Sequence, residues 1–396
     1  MRPINITLFN IIILFSLIST TIFSQESGYS IRGKIVDASN NNPVEFANVG
    51  IEGTFMGTAS DIDGVFNLSI NQKYSDFDVV ISAVGYQSKK LKVKELAGSD
   101  VLTINLTPVR YGLSQVDIKA ESMVLYGILK SAGNMIGQNY ISEPFEYSTF
   151  YQRVKKTGDS KTEAVISVVD ATGYGDRTYT DAFVNRSYHI NEIRRNYEYK
   201  PVDEGVCNVD FLLLFDIVRV RGNIMDSAGL YNFTLKLEDV TTFNGDSVWA
   251  ISYKNSKPDF STTGNRDVTN YSGVIYISKS TNAVLRNELE IETKGYFPYG
   301  YTAFYNDDIK SKSVTKAEYK AVTTYRKGSD GKYTLSSVYV DEVLTDNGGN
   351  ELIFDENLKV LKTEKGNSSP EKRREYYSSK PVDKEFWERF TIPELD

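Results

Sequence analysis

Residues 43 to 86 hold an ordered run of short motifs: Pro43-Val44, Ala47-Asn48-Val49, Gly53-Thr54, Gly57-Thr58, Asp61-Ile62-Asp63-Gly64-Val65-Phe66 and Ile81-Ser82-Ala83-Val84-Gly85-Tyr86. Around them apolar and polar residues alternate with the period of a half-buried strand. Ile31, Gly33 and Ile35 alternate with Arg32 and Lys34, and Phe66, Leu68 and Ile70 with Asn67 and Ser69. Leu91 and Val93 alternate with Lys90, Lys92 and Lys94, and Leu102, Ile104 and Leu106 with Thr103, Asn105 and Thr107. Turn formers at Asn40 to Pro43, Asp63-Gly64, Gly85 and Gly98 separate the runs. Several short strands so punctuated predict a β-sandwich. Asp63-Gly64 reads as a tight hairpin turn, because glycine tolerates positive φ, and Phe66 reads as a core residue.

In order and spacing these motifs resemble the carboxypeptidase-regulatory-like domain, a small transthyretin-like β-sandwich common in the cell envelope of Bacteroidota-type bacteria. The resemblance spans about residues 29 to 107, with Ser60 standing where Thr is usual. It implies a module and a compartment, and no reaction.

A chain of 396 residues has room for two or three domains. Residues 1–24 read as a secretory signal peptide: Arg2 gives a basic start, the apolar stretch is densest from Ile11 to Ile18, and Ser24 supplies a small residue before a cut that leaves Gln25 first. An uncleaved anchor is the competing reading, but Asn5, Thr7 and Asn10 leave the apolar run short of the roughly 20 residues a span needs. With no Cys near the cut, a lipid-anchored lipoprotein is not expected. The single cysteine, Cys207, permits no intramolecular disulfide and reads as a buried thiol. A net charge of −7 without a long basic run argues against nucleic acid as a partner.

The expected organisation is a signal peptide (1–24), the sandwich (25–107), a connector (108–139) and a β-rich domain (140–396). In the connector, Val116 to Ile118 reads as a short strand, and Leu113 to Ile118 resembles the stretch that follows this module in TonB-dependent receptors, although the chain is far too short for their barrel. Leu125, Ile128, Leu129, Ala132, Met135 and Ile136 predict a helix over about 121–138, packed on a sheet and lacking the basic face of a membrane-surface helix. Strands are expected at 145–154, 164–169, 233–237, 247–253, 273–278, 284–293, 316–325 and 333–344. Hairpin turns are expected at Asn244-Gly245-Asp246 and Asp330-Gly331, a second helix over 210–219, and an aromatic plug over 383–390. Residues 273–286 resemble the strand-turn-strand repeat of half-barrel envelope carriers. The fold class expected is therefore mainly β: a transthyretin-like sandwich, then a larger domain with a curved antiparallel sheet and one or two helices.

The single histidine limits the catalytic motifs the chain can hold. His189-Ile190-Asn191-Glu192 resembles the His-x-x-Glu pair of zinc carboxypeptidases, yet a second His is missing and Arg186, Arg194 and Arg195 oppose a dication. A Ser-His-Asp triad lacks the Gly-x-Ser-x-Gly elbow, and a Cys207–His189 pair has no supporting motif. Asp61-x-Asp63-Gly64 is followed by Val65, Phe66 and Leu68 instead of further oxygen ligands, and Gly173-x-Gly175 lacks the later glycine of a phosphate loop. No catalytic residue, metal or cofactor is expected. The chain has 27 Tyr, which either fill half-exposed strand positions or offer contact surface. The cluster Tyr296, Phe297, Tyr299 and Tyr301 beside Pro298 and Gly300 is the candidate binding surface. The function expected is an exported, non-enzymatic envelope protein of the periplasm or outer-membrane periphery that binds a protein, a glycan or an apolar ligand. The alternatives are a lipid or lipoprotein carrier and a carboxylate-based hydrolase.

Overall fold

The computed structural model describes residues 28–54, 56–96, 101–109, 118–157, 160–173, 188–195, 209–243, 245–265, 267–295, 314–365 and 384–389. Seven strands precede residue 107: β1 (Gly28–Asp37), β2 (Asn48–Ile51), β3 (Gly57–Ala59), β4 (Val65–Asn71), β5 (Asp78–Ser82), β6 (Lys89–Lys92) and β7 (Leu102–Leu106). They form two sheets, β4-β1-β7 and β3-β2-β5-β6. The alternating apolar residues face one another between them: Ile31, Ile35, Phe66, Leu68, Val79, Ile81 and Ile104 share one core. This is the expected sandwich.

Two local expectations are corrected. The Asp63-Gly64 turn is tight, with Gly64 at φ 78° and its N–H donating to the Asp61 carbonyl, but it joins β3 to β4, which belong to different sheets. It is a corner between layers and not a hairpin. Val93 does not extend β6; it opens a short helix, Val93–Leu96, whose apolar ends are buried.

The second body is one open ten-stranded antiparallel sheet. Its strands are β8 (Phe145–Thr157), β9 (Ser160–Gly173), β10 (Tyr188–Arg195), β11 (Phe233–Phe243), β12 (Asp246–Asn255), β13 (Val268–Ser278), β14 (Val284–Thr293), β15 (Val314–Lys327), β16 (Tyr333–Asp346) and β17 (Glu351–Lys365). The order is β10-β9-β8-β17-β16-β15-β14-β13-β12-β11, so a seven-stranded meander is joined to a three-stranded one through the β17–β8 pair. Gly245 and Gly331, both at φ 80°, make the expected β11–β12 and β15–β16 turns.

Alternation gives the sheet two unlike faces. The first is covered by helix Ile118–Asn134, by Tyr140 and by residues 211–230, with Leu125, Leu129, Phe211, Phe215, Ile217 and Met225 in the shared core. The helix begins at Ile118, where a strand was expected, and ends in a second short turn, Ile136–Asn139. The helix expected over 210–219 is cut short at Phe215. The reason is Asp216, whose carboxylate accepts from the backbone N–H of Val218 and Arg219 and from Tyr325 Oη at 2.7 Å. Thr323 Oγ1 donates to the Phe215 carbonyl at 3.0 Å, so β15 holds this covering segment by two polar anchors.

Among the described residues most tyrosines are core. Tyr140, Tyr147, Tyr151, Tyr253, Tyr319 and Tyr325 are among the largest fully buried side chains. Their hydroxyls find acceptors or donors: Tyr140 Oη donates to the Val284 carbonyl at 2.6 Å, and Tyr253 Oη to Asn287 Oδ1 at 2.9 Å. Helix Lys384–Arg389 places Phe386 edge-on to a buried Trp387. Among the described residues no helix is long and apolar enough to cross a membrane.

Candidate binding site at the seam of sandwich and sheet

The sandwich lies against the other face of the large sheet, and it uses its own signature residues to do so. The segment Pro43 to Val49 turns sharply, with Asn41 at φ 61° and Phe46 at φ 52°. That strained backbone delivers the Phe46 ring onto Tyr339, centroids 5.1 Å apart. Arg286 lies 5.6 Å from the Phe46 ring centre, and its Nη1 donates to the Glu45 carbonyl at 3.5 Å. Asn48 Nδ2 donates to the Tyr325 carbonyl at 3.1 Å. Gly85 N–H donates to the Thr242 carbonyl at 2.7 Å. At Gly57 a side chain would begin 2.7 Å from the Val49 carbonyl and 3.3 Å from the Arg326 guanidinium, so glycine is what lets that guanidinium lie against the strand.

Two clefts flank this contact. One, of about 220 Å³, is lined by Asn48, Glu52 and Ser82 of the sandwich and by Phe243, Arg326 and Lys327 of the sheet. Arg326 is 6% exposed, and burial pushes its guanidinium down to about 10. It remains protonated at neutral pH. The other cleft, of about 240 Å³, is lined by Pro43, Glu45, Tyr86, Tyr276, Arg286 and Glu288. Burial raises the Glu45 carboxyl above its usual range against the pull of Arg286. Burial, helped by Glu288, lifts Tyr276 to about 12. Arg286 Nε donates to Glu288 Oε1 at 2.7 Å, which keeps one carboxylate paired beside the raised one. A further cranny of about 10 Å³ adjoins Lys359, whose ammonium is buried between sheet and sandwich, pushed below its usual range by desolvation and favoured by Asp61.

The binding surface expected from the sequence falls on other residues. Tyr296, Phe297, Tyr299 and Tyr301 lie outside the described residues, as does Cys207. His189 falls in β10, and its side chain lies outside the described ones. Among the described residues no group of three or more His, Cys, Asp and Glu side chains is placed to hold a metal ion. What sequence reasoning missed is Phe46, Arg286 and Arg326. The two arginines occupy positions on their strands that alternation assigns to solvent, and nothing in their local sequence distinguishes a docked polar face from a wet one.

Comparison with known proteins agrees with the first body. Residues 31–117 match the family model described as the CarboxypepD_reg-like domain. The match runs past β7, in keeping with the chain's continued pairing there: Tyr86 bridges Pro108, and Val109 N–H donates to the Gly85 carbonyl. No curated protein matches the chain. Among solved structures, the crystal structure of MucB in complex with MucA(peri) overlaps 61% of this chain and 99% of its own at 9% identity and a TM-score of 0.18, too weak to establish a common fold.

Proposed function

We propose that this is an exported cell-envelope binding protein without enzymatic activity, in which the CarboxypepD_reg-like sandwich and the ten-stranded sheet together form the binding surface. The observation that carries the reading is the seam. Signature residues of the sandwich, Asn48, Gly57 and Gly85, contact the sheet and leave a polar cleft on either side of the Phe46–Tyr339 pair. Concave sites with a few fixed polar groups at the junction of two bodies are where small ligands and peptide ends bind. Export rests on Arg2, the apolar stretch and Ser24.

One observation favours a second reading. The cleft holding Glu45 and Glu288 sets a carboxyl whose pKa burial raises beside one that accepts from Arg286, the unlike surroundings a carboxylate hydrolase needs. One experiment separates the two. The chain beginning at Gln25 is incubated with panels of peptides, glycans and phospholipids, its melting temperature is recorded, and the ligands are then analysed by mass spectrometry. A ligand at about 100 times its Kd adds about 2.7 kcal/mol of stability, a readable shift. The binding reading expects a shift with the ligand recovered intact, reduced by Arg286→Leu. A ligand recovered cleaved, with cleavage abolished by Glu45→Gln, would establish the hydrolase instead.

A further inference from the structure

We infer that the cleft beside Arg326 takes the free C-terminal end of a peptide, its carboxylate held by Arg326 and its last backbone N–H donated to Asn48 Oδ1. The inference deepens the binding reading above and rests on it. Three features of the cleft carry it.

The first is an orphaned acceptor. Asn48 is 5% exposed and lines the cleft. Its Nδ2 is spent on the Tyr325 carbonyl, which fixes which end of the amide is which, and its Oδ1 has no donor among the described residues. A buried acceptor left without a donor loses its hydration and gains nothing in return. An occupant that brings an N–H makes good that loss.

The second is charge. The cleft is lined by the guanidinium-bearing Arg326, which lies against Gly57 of the sandwich. Its acidic lining residue, Glu52, is paired with Lys90 of β6. The balance is positive, and a guanidinium offers two parallel donors that match a carboxylate. A bare phosphate or sulfate would satisfy the guanidinium but brings no N–H for Asn48. A peptide terminus brings both, with the N–H and the carboxylate on one residue.

The third is shape. At about 220 Å³ the cleft is smaller than the roughly 300–1,000 Å³ that enclose a drug-sized ligand, so it suits an end group whose remainder lies outside. Gly50, Gly53 and Gly328 line it without side chains, which lets a second backbone approach closely, while Met56 and Phe243 offer apolar contact to the terminal side chain. Capture of a chain terminus by fixed donors is an established mode of peptide recognition.

The test is calorimetric titration of the chain beginning at Gln25 with N-acetylated tripeptides ending in leucine, as the free acid and as the C-terminal amide. The free acid is expected to bind, and the amide to bind at least about tenfold more weakly. Arg326→Gln should weaken the acid by about tenfold or more. Because Arg326 is buried and its replacement can unfold the seam, Gly50→Asp serves as the second variant: Gly50 lines the cleft, a side chain there meets the Met56 carbonyl at an ordinary 3.6 Å, and the added carboxylate opposes that of the peptide. It should weaken the acid several-fold and flatten the salt dependence of binding, with the circular dichroism unchanged. Equal binding of acid and amide, or no heat from the acid at millimolar concentration, overturns the inference. So does tighter binding of inorganic phosphate or of glucuronate than of the peptide acid. If a ligand from the wider panels binds at the Glu45 cleft while the peptide acid does not bind here, this inference falls and the binding function stands.

Discussion

Replacing Arg153 by methionine should cost the large sheet about 3–5 kcal/mol, a sizeable part of the roughly 5–15 kcal/mol that holds a domain folded. Arg153 is 1% exposed, and the two carboxylates it joins, Glu342 and Glu356, are fully buried. Its Nη2 lies 3.1 Å from Glu342 Oε2 and its Nε 3.3 Å from Glu356 Oε1. Its guanidinium also lies 3.8 Å from the centre of the Phe354 ring, and Tyr151 Oη donates to Glu356 at 3.0 Å. These groups tie β8, β16 and β17 together where the three-stranded meander joins the seven-stranded one. Methionine preserves the apolar stem but leaves two carboxylates in a dry site without the cation between them. The cost is therefore that of stranded charge, not of lost attraction alone. Urea unfolding monitored by tryptophan emission and circular dichroism measures it. A loss below about 1 kcal/mol would mean that the site is wet and that the pairing contributes little.

Phe66→Ala should destabilise the sandwich by about 3–5 kcal/mol. Phe66 is 1% exposed, and its ring lies across Gly33, where a side chain would begin 2.8 Å from the ring edge. The glycine is there because the ring occupies the space its side chain would need. Truncation removes most of a large apolar surface from the centre of a small core. It opens a cavity between β1 and β4 that neighbours on a rigid sheet cannot close. In a chemical denaturation of the full chain the sandwich transition should move while that of the large sheet keeps its slope. An unchanged midpoint would show that the ring is not packed as described.

The sandwich was legible because its apolar residues alternate cleanly and its turns are marked by glycine, proline and asparagine. In the large sheet the same rule found β14 at its observed limits, Val284–Thr293, and found cores of β12, β13, β15 and β16. It missed β10 and also β17, Glu351–Lys365, the latter for a physical reason. Phe354, Leu358 and Val360 mark one face, but Glu356 stands at the position between them where alternation asks for an apolar side chain. That residue is the buried partner of Arg153, so the interaction that joins the sheet also hides the strand. Lys359, buried on the opposite face, blurs the pattern a second time. The seam was not legible at all. Arg286 and Arg326 look like solvent-facing strand residues, and only the position of the sandwich turns them into cleft lining. Tyrosine content misled in the other direction: a residue type suited to contact surfaces is used here, among the described residues, mainly to fill a core and to anchor covering segments through its hydroxyl.

The central claim is that sandwich and sheet are docked through defined side chains, and a double-mutant cycle between Phe46 and Tyr339 tests it most directly. Stability is measured for the parent, Phe46→Ala, Tyr339→Ala and the pair. With the rings in contact at 5.1 Å, the cycle should return a coupling of about 0.5–1.5 kcal/mol. Strictly additive effects, each confined to the unfolding transition of its own body, would contradict the docked seam and the binding function built on it.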